Sequence, residues 1–383
     1  MMQPFVKTIH ARGVLSFAPD SEPLPLTPLN VLIGPNGSGK SNLIEIFELL
    51  KALPTDLAEA IRDGGGIGEW LWKGEAKSAG AIINADLEVR GAGSVRYGLA
   101  FVRADQGLEV LDEAVEDDPV IYYRFNAGHR ATIIRNIDGR SERWEFNPDP
   151  QQSVLSQRTD TDLYPEVAAT GRSFARILTF REWSFGRYVP LRQPQPADLP
   201  NDVVLPDARN LGLILNAIEQ SDVWSRLNAA LRRFLPRFKR LTTHVQGGTI
   251  QIFLHEDGLR TPIPATRLSD GTIRFITLLA ILLRPGISPL ICLEEPELGL
   301  HPDALTLIAE LLVEASQQTQ IIVTTQSDVL VSALSEHADS VVVCDNLGGA
   351  SRFSRLESDK LRFWMDKYKL GEIWRIGELG GNP

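Results

Sequence analysis

The eight residues Gly34-Pro35-Asn36-Gly37-Ser38-Gly39-Lys40-Ser41 fit the pattern G-x-x-x-x-G-K-[ST] without departure. The chemistry of such a run is the holding of a polyphosphate. Backbone N–H groups of a glycine-rich turn and of a helix N-terminus, here running on into Asn42, converge on the α/β-phosphates. The Lys40 ammonium is spaced to reach the β/γ-phosphates, and the Ser41 hydroxyl to bind Mg2+. Gly34, Gly37 and Gly39 permit backbone conformations and close approaches that a Cβ would block.

Such a loop works only if a strand delivers it and a helix receives it. The apolar run Leu29-Asn30-Val31-Leu32-Ile33 predicts the strand, and Asn42 to Leu50 predicts a helix apolar enough to dock on a sheet. A second apolar run, Ser288 to Leu293, ends in Glu294-Glu295-Pro296-Glu297. A buried parallel strand reads as a near-continuous apolar run, and its C-terminal end faces the ligand crevice of an open α/β sheet. Two carboxylates there can divide labour. Glu294 would hold the Mg2+ shell through water, and Glu295 would orient or deprotonate the attacking water. Phosphoryl transfer needs mostly positioning and charge neutralisation, so these roles suffice. The plain alternative, a solvated acidic turn, is the weaker reading beside a phosphate loop.

Two smaller signals lie around it. Leu268-Ser269-Asp270-Gly271-Thr272 precedes the helical run Ile273 to Leu283. The Ser269 hydroxyl and the free N–H groups of a helix start make another anion site; alone, the same residues are an ordinary N-cap. Gln320 to Thr324 is again strand-like and ends in Thr325-Gln326-Ser327. Gln326 there could touch a γ-phosphate, or the segment is a simple strand-end turn.

Taken in order, these four pieces resemble ABC-type ATPases. More closely, the chain resembles RecF/SMC-like AAA ATPases, stand-alone ATPases related to the ATPase half of OLD nucleases. The resemblance rests on Gly34 to Ser41, Leu268 to Thr272, Leu293 to Pro302 and Thr324 to Ser327. It extends across the chain, including Glu69 to Gly74 and Leu370 to Trp374. It implies an α/β P-loop NTPase fold of ABC/SMC-head type, with an antiparallel β subdomain and an inserted helical region. It implies ATP and Mg2+ in a composite site within a homodimer. Gly34 to Ser41 of one copy would bind the nucleotide, and Ser269 and Gly271 of the other would reach its γ-phosphate. Glu294 occupies the family's metal-side acid and Glu295 its catalytic base. Relatives place a glutamine at the lobe junction to sense Mg2+ and water. Gln157, in Ser153-Val154-Leu155-Ser156-Gln157, is the candidate, a loop glutamine being the alternative.

Two positions depart from the family pattern. Gln326 stands where relatives often carry a switch histidine. It has no charge and cannot serve as an acid, so slow turnover is an expectation. Asp270 stands where transporter cassettes have glycine. An acid beside a γ-phosphate would repel it, so Asp270 is expected to face Arg274 or to cap its own helix.

The 383 residues are 43% hydrophobic and 23% charged, as in a globular protein with two lobes. No stretch approaches the ~18 apolar residues of a membrane span, and the longest, Phe275 to Leu283, is cut by Arg284-Pro285. The N-terminus shows no apolar export region. Cys292 and Cys344 lie in strand-like runs and read as core residues. The expected location is cytoplasmic, with no membrane partner. A net charge of −10 argues against nucleic acid binding over the whole surface. The basic patch Arg232 to Arg240 reads first as a solvated helix end with cations at the C-terminal dipole, and second as a phosphate-backbone contact.

Along the chain we expect one ATPase head. Residues 1–78 form a loop-bearing lobe, and 79–146 an antiparallel subdomain of alternating strands. Residues 147–240 form a proline-rich connector and helical insertion, and 241–383 the lobe of the signature and the paired acids. An amphipathic helix is expected near Ser358 to Tyr368, and Phe17 is expected in the core rather than against adenine. No heptad array is present, so no long coiled coil is built. The expected function is ATP-driven head-to-head dimerisation in DNA repair or maintenance, or in defence against phage. DNA and a separate nuclease or effector are the further partners to consider, since the chain leaves no room for an appended nuclease domain. The alternative is a slow ATP-dependent protein–protein switch without direct DNA binding. A transporter cassette fits poorly, because the middle region is too long.

Overall fold

Short apolar runs build the centre of the molecule. In a computed structural model describing residues 3–75, 80–105, 107–137, 140–219, 221–284, 286 and 288–381, six strands form a central sheet. An edge strand (Leu178–Phe180) lies beside the acid strand (Leu290–Glu294). Then come the switch strand (Gln320–Thr324), the loop strand (Leu29–Ile33), Val341–Leu347 and Ala350–Arg355. The first five pair in parallel and the last is antiparallel. The boundary expected between residues 78 and 79, and Pro285, lie outside the described residues.

The loop, acid and switch strands are buried on both faces, which is why their sequences are mostly apolar rather than alternating. Successive side chains point to opposite faces. Val31, Ile33, Ile291, Leu293, Ile321 and Val323 enter one core, with the helices Leu211–Ile218, Asp222–Phe234, Asp270–Leu283 and Pro302–Ala315. Leu32, Cys292, Ile322, Val342 and Cys344 enter the other, with the loop helix (Lys40–Ala52) and the antiparallel sheet. Both cysteines are buried and free, as core residues. Phe17 is also core, stacked on Phe353 with ring centroids 5.5 Å apart.

Among the described residues the antiparallel sheet has eight strands. Six are the expected meander, Ala81–Val89 through Arg140–Phe146. The other two, Val6–Arg12 and Leu24–Pro25, come from the start of the chain and extend its edge. Sequence order therefore does not follow the sheets. The same holds for the proline-rich stretch: besides helices it supplies the edge strand, with Thr179 paired to Cys292 and Phe180 to Leu293. That register leaves Arg181 beside Glu294.

The basic patch divides between two elements. Arg232 and Arg233 fall in the last turn of a helix, whereas Lys239 and Arg240 open a strand, Phe238–Gln246. Arg233 pairs with Glu310 at 2.8 Å and Arg237 with Glu256 at 3.5 Å. A late helix runs from Ser358 to Met365, with Leu361 and Met365 against the core. Among the described residues no helix is long and apolar enough to cross a membrane.

One buried acid joins the antiparallel sheet to the connector. Glu113 accepts from Tyr97 Oη at 2.7 Å, Ser153 Oγ at 2.5 Å and the Val154 N–H at 2.8 Å. Burial raises its pKa to about 7, against the pull of these donors. A raised acid favours the protonated folded state. Its contribution to stability is full below its ordinary value of 4.5 and is lost as pH rises through about 7. Thermal melts from about pH 5 to about pH 8 should show a fall in Tm that Glu113→Gln makes shallower. Parallel profiles for the two proteins would refute this.

Candidate functional site

The loop strand delivers Gly34 at φ 146°, a conformation open to glycine; a Cβ there would land on the Cys344 carbonyl. Pro35 is half-buried, while Asn36 and Gly37 form the exposed tip. The chain turns back through Gly37 at φ 77° and Gly39 at φ 97°, where the helix begins. Asn346 Nδ2 donates to the Gly37 carbonyl at 3.1 Å and ties the tip to a neighbouring strand. The N–H groups of a first helical turn have no intrahelical partners, and here they open onto this loop.

Lys40 is buried, and its Nζ donates to the carbonyls of Gly34 at 2.6 Å and Pro35 at 2.9 Å. Burial lowers its pKa, partly offset by the field of Cys344, Glu295, Glu294 and Glu297. The Ser38 hydroxyl is buried without a partner. An orphaned donor, a buried ammonium and two glycines, Gly34 and Gly39, with no room for a Cβ are features that a phosphate chain would fit. Asn42 is turned aside. Its amide donates to Ser16 Oγ at 2.7 Å, at a cavity of about 450 Å³ shared with Leu71 and Trp72.

Across the sheet, Glu294 ends the acid strand. Its Oε1 accepts from Ser41 Oγ, and its Oε2 accepts from Arg181 Nε at 2.9 Å. Arg181 also donates to Glu48 Oε2 at 2.6 Å, and Trp183 Nε1 donates to the Glu294 carbonyl at 2.6 Å. A hydroxyl and a carboxylate are the hard oxygen donors that Mg2+ prefers, so Ser41 and Glu294 fit that ion. Glu295 follows at φ 44°, left-handed for a residue with a side chain. Its N–H donates to the Thr324 carbonyl at 3.0 Å, and its carboxylate accepts from Gln326 Nε2. Backbone held in such a sparsely populated region costs about 1–3 kcal/mol and clusters at functional sites.

Glu297, singled out only as part of the acidic turn, anchors the switch loop. Its Oε1 accepts from Thr325 Oγ1 at 2.5 Å and from the Gln326 N–H at 2.9 Å, and burial raises its pKa.

The signature segment, Leu268 to Thr272, exposes Ser269 and Asp270 on the surface. Ser269 caps its helix, its Oγ accepting from the Thr272 N–H at 3.1 Å. A Cβ on Gly271 would strike the Gly299 carbonyl, so the signature packs on the turn after the acids. Asp270, expected to face Arg274 or to cap its own helix, does neither, because Arg192 holds its carboxylate and Ser269 is the cap. Arg192 is buried and donates to the Ala265 and Leu268 carbonyls as well. Arg274 is drawn elsewhere: it donates to the Leu298 and Glu295 carbonyls and lies over Trp183 at 4.9 Å and Phe185 at 5.3 Å. Burial lowers its pKa to about 10.

Gln157 is not brought to this site. Its amide donates to the carbonyls of Asp149, Gln152 and Ser153, and its Oε1 accepts from the Asp149 N–H at 2.9 Å. Gln152 in turn bonds Asp56 and the Leu57 N–H, past the C-terminal end of the loop helix. That helix has 13 residues, about 20 Å at 1.5 Å each, so Gln157 sits at the far end from Lys40. Arg181 holds the place beside Glu294. No signal in the sequence marks it, because its strand is three residues long within a polar stretch.

A glycine-rich loop, an acid-ended strand and a neighbouring polar strand end on this sheet order give a P-loop NTPase fold of ABC/SMC-head type. The chain belongs to the family described as "AAA domain, putative AbiEii toxin, Type IV TA system", whose model matches residues 29–332. Among solved structures, an Smc head bound to the C-terminal winged-helix domain of ScpA is 16% identical. The match covers 94% of this chain and 100% of that one, with a TM-score of 0.59. The Smc head of Pyrococcus furiosus, with an extended coiled coil and bound to the C-terminal domain of ScpA, is 13% identical over 95% and 99%, with a TM-score of 0.56. That of Pyrococcus yayanosii, with a coiled coil and joint, is 11% identical over 95% and 99%, with a TM-score of 0.52. At such identities the likeness is one of fold. No curated protein matches the chain.

Two glycine substitutions separate strain from collision. Gly37→Ala meets nothing within 4 Å and bears only its positive φ, a cost of about 1 kcal/mol. Gly34→Ala also strikes backbone and should cost roughly 2 kcal/mol or more by urea unfolding. Equal costs would contradict the packing of this loop.

Proposed function

We propose that the chain binds and hydrolyses ATP at the loop of Gly34 to Ser41, and that ATP joins two copies head to head. The observation carrying this reading is the meeting of Ser41 and Glu294, 253 residues apart, directly behind a buried lysine. Lys40 would exchange its two carbonyl partners for phosphate oxygens, with the loop N–H groups beside it. Mg2+ at Ser41 and Glu294 would neutralise charge on the β/γ-phosphates. Glu295 would hold the attacking water and take its proton as the bond from the γ-phosphorus to the ADP oxygen breaks. Gln326, already bonded to Glu295, would fix that carboxylate and donate to the γ-phosphate. It cannot replace Glu295 as a base.

The exposed signature supports the dimer. Ser269 and Asp270 face solvent, and Arg192 draws the Asp270 carboxylate aside. Ser269 and Gly271 are thereby free to approach nucleotide on a second copy. DNA maintenance and defence remain the two outputs to weigh, and the family's description as a putative toxin favours defence. A toxin–antitoxin setting would also make a protein partner more fitting than DNA.

Glu295→Gln should reduce ATP turnover by roughly 100-fold or more and shift the protein to a dimer in size-exclusion chromatography with ATP. Lys40→Ala should lose nucleotide binding, whereas Gln157→Ala should keep both binding and turnover. A Glu295→Gln protein that binds ATP yet stays monomeric would sink the head-to-head reading. Strong stimulation of turnover by DNA would select maintenance; none would select the protein–protein switch.

A further inference from the structure

Glu294 has two carboxylate oxygens, and both are engaged. Ser41 donates to one, and the Arg181 guanidinium donates to the other at 2.9 Å. Arg181 is not an incidental surface cation. The parallel register of the edge and acid strands, Phe180 against Leu293, sets it next to Glu294 by backbone geometry alone. Burial works against its charge, but the bonds to Glu48 and Glu294 outweigh that and raise its pKa, so it stays cationic.

Its second partner matters as much. Glu48 Oε2 takes Arg181 Nη1 at 2.6 Å. Glu48 lies on the loop helix two turns beyond Ser41, on the wall of an open cavity of about 640 Å³ that Arg181, Glu182 and Glu294 also line. Arg181 lines that cavity and its side chain is 28% exposed. The guanidinium is thus shared between two acids, one beside the phosphate loop and one further from it, with room to move between them.

Resting on the nucleotide site proposed above, we propose that Arg181 is a charge gate for the divalent cation. Its guanidinium and the cation compete for Glu294, and Glu48 receives the guanidinium when the cation prevails. Like charges drawn to one carboxylate in a half-buried site repel strongly. Binding of the cation therefore moves the Arg181 guanidinium toward Glu48, while Trp183 stays bonded to the Glu294 carbonyl. Arg181 is a positioning residue in this account, and Glu48 an anchor with no contact to nucleotide.

The test is the ratio of ADP dissociation constants in EDTA and in excess Mg2+, measured by calorimetry on the full chain. Arg181→Gln should raise this ratio by roughly tenfold, the scale of one relieved charge repulsion. Arg181→Lys keeps the charge and should stay near wild type. Glu48→Gln removes the receiving acid and should lower the ratio, and this effect should vanish in an Arg181→Gln background. An Arg181→Gln ratio that is unchanged or lower overturns the gate. So does a Glu48→Gln effect of equal size in both backgrounds, or no Glu48→Gln effect, which decides the matter if Arg181→Gln does not fold. A wild type that binds no ADP overturns the site reading and the gate together; ADP binding without these shifts overturns the gate alone.

Discussion

The Glu294 carboxylate is the point on which separate parts of the chain converge. Ser41 reaches it from the loop helix, Arg181 from the edge strand, and Trp183 bonds its carbonyl. A part-buried acid needs such partners, since charge removed from water is costly unless paired and hydrogen-bonded. Satisfying it fixes the spacing between the phosphate loop and the acid strand. The same contacts that stabilise the fold therefore shape the site.

Glu295 and Glu297 organise the other side of that strand end. Glu295 holds Gln326 through its side chain, and Glu297 holds the same loop through Thr325 and the Gln326 N–H. Arg274 then links the signature helix to the turn after the acids by bonding the Glu295 and Leu298 carbonyls. A guanidinium suits this place because its planar fork serves several carbonyls at once while its face stacks on Trp183 and Phe185.

One segment of the insertion touches both ends of this network. Arg181 begins it at Glu294, Trp183 and Phe185 stack along it 5.9 Å apart, and Arg192 ends it at Asp270. The acid strand and the signature are thus bridged by a stretch whose composition is polar and rich in proline. Its sequence lacks the apolar periodicity that announces packed elements, yet it supplies two of the buried or half-buried cations of the site.

The phosphate loop, the acid strand, the switch strand and the meander were legible because each rests on local pattern. Glycines mark the turn, apolar runs mark strands buried on both faces, and alternation marks a sheet with two unlike faces. The likeness to ABC/SMC heads followed from their order. The tertiary structure alone decided which side chains meet. Gln157 was drawn into its own loop by four local hydrogen bonds, Asp270 went to Arg192 rather than Arg274, and Arg181 came to stand beside Glu294. The last two outcomes depend on strand register and on which partners capture the buried and half-buried guanidinium groups. The Arg181–Glu294 and Arg192–Asp270 pairs join residues 113 and 78 apart, where no spacing along the chain records them.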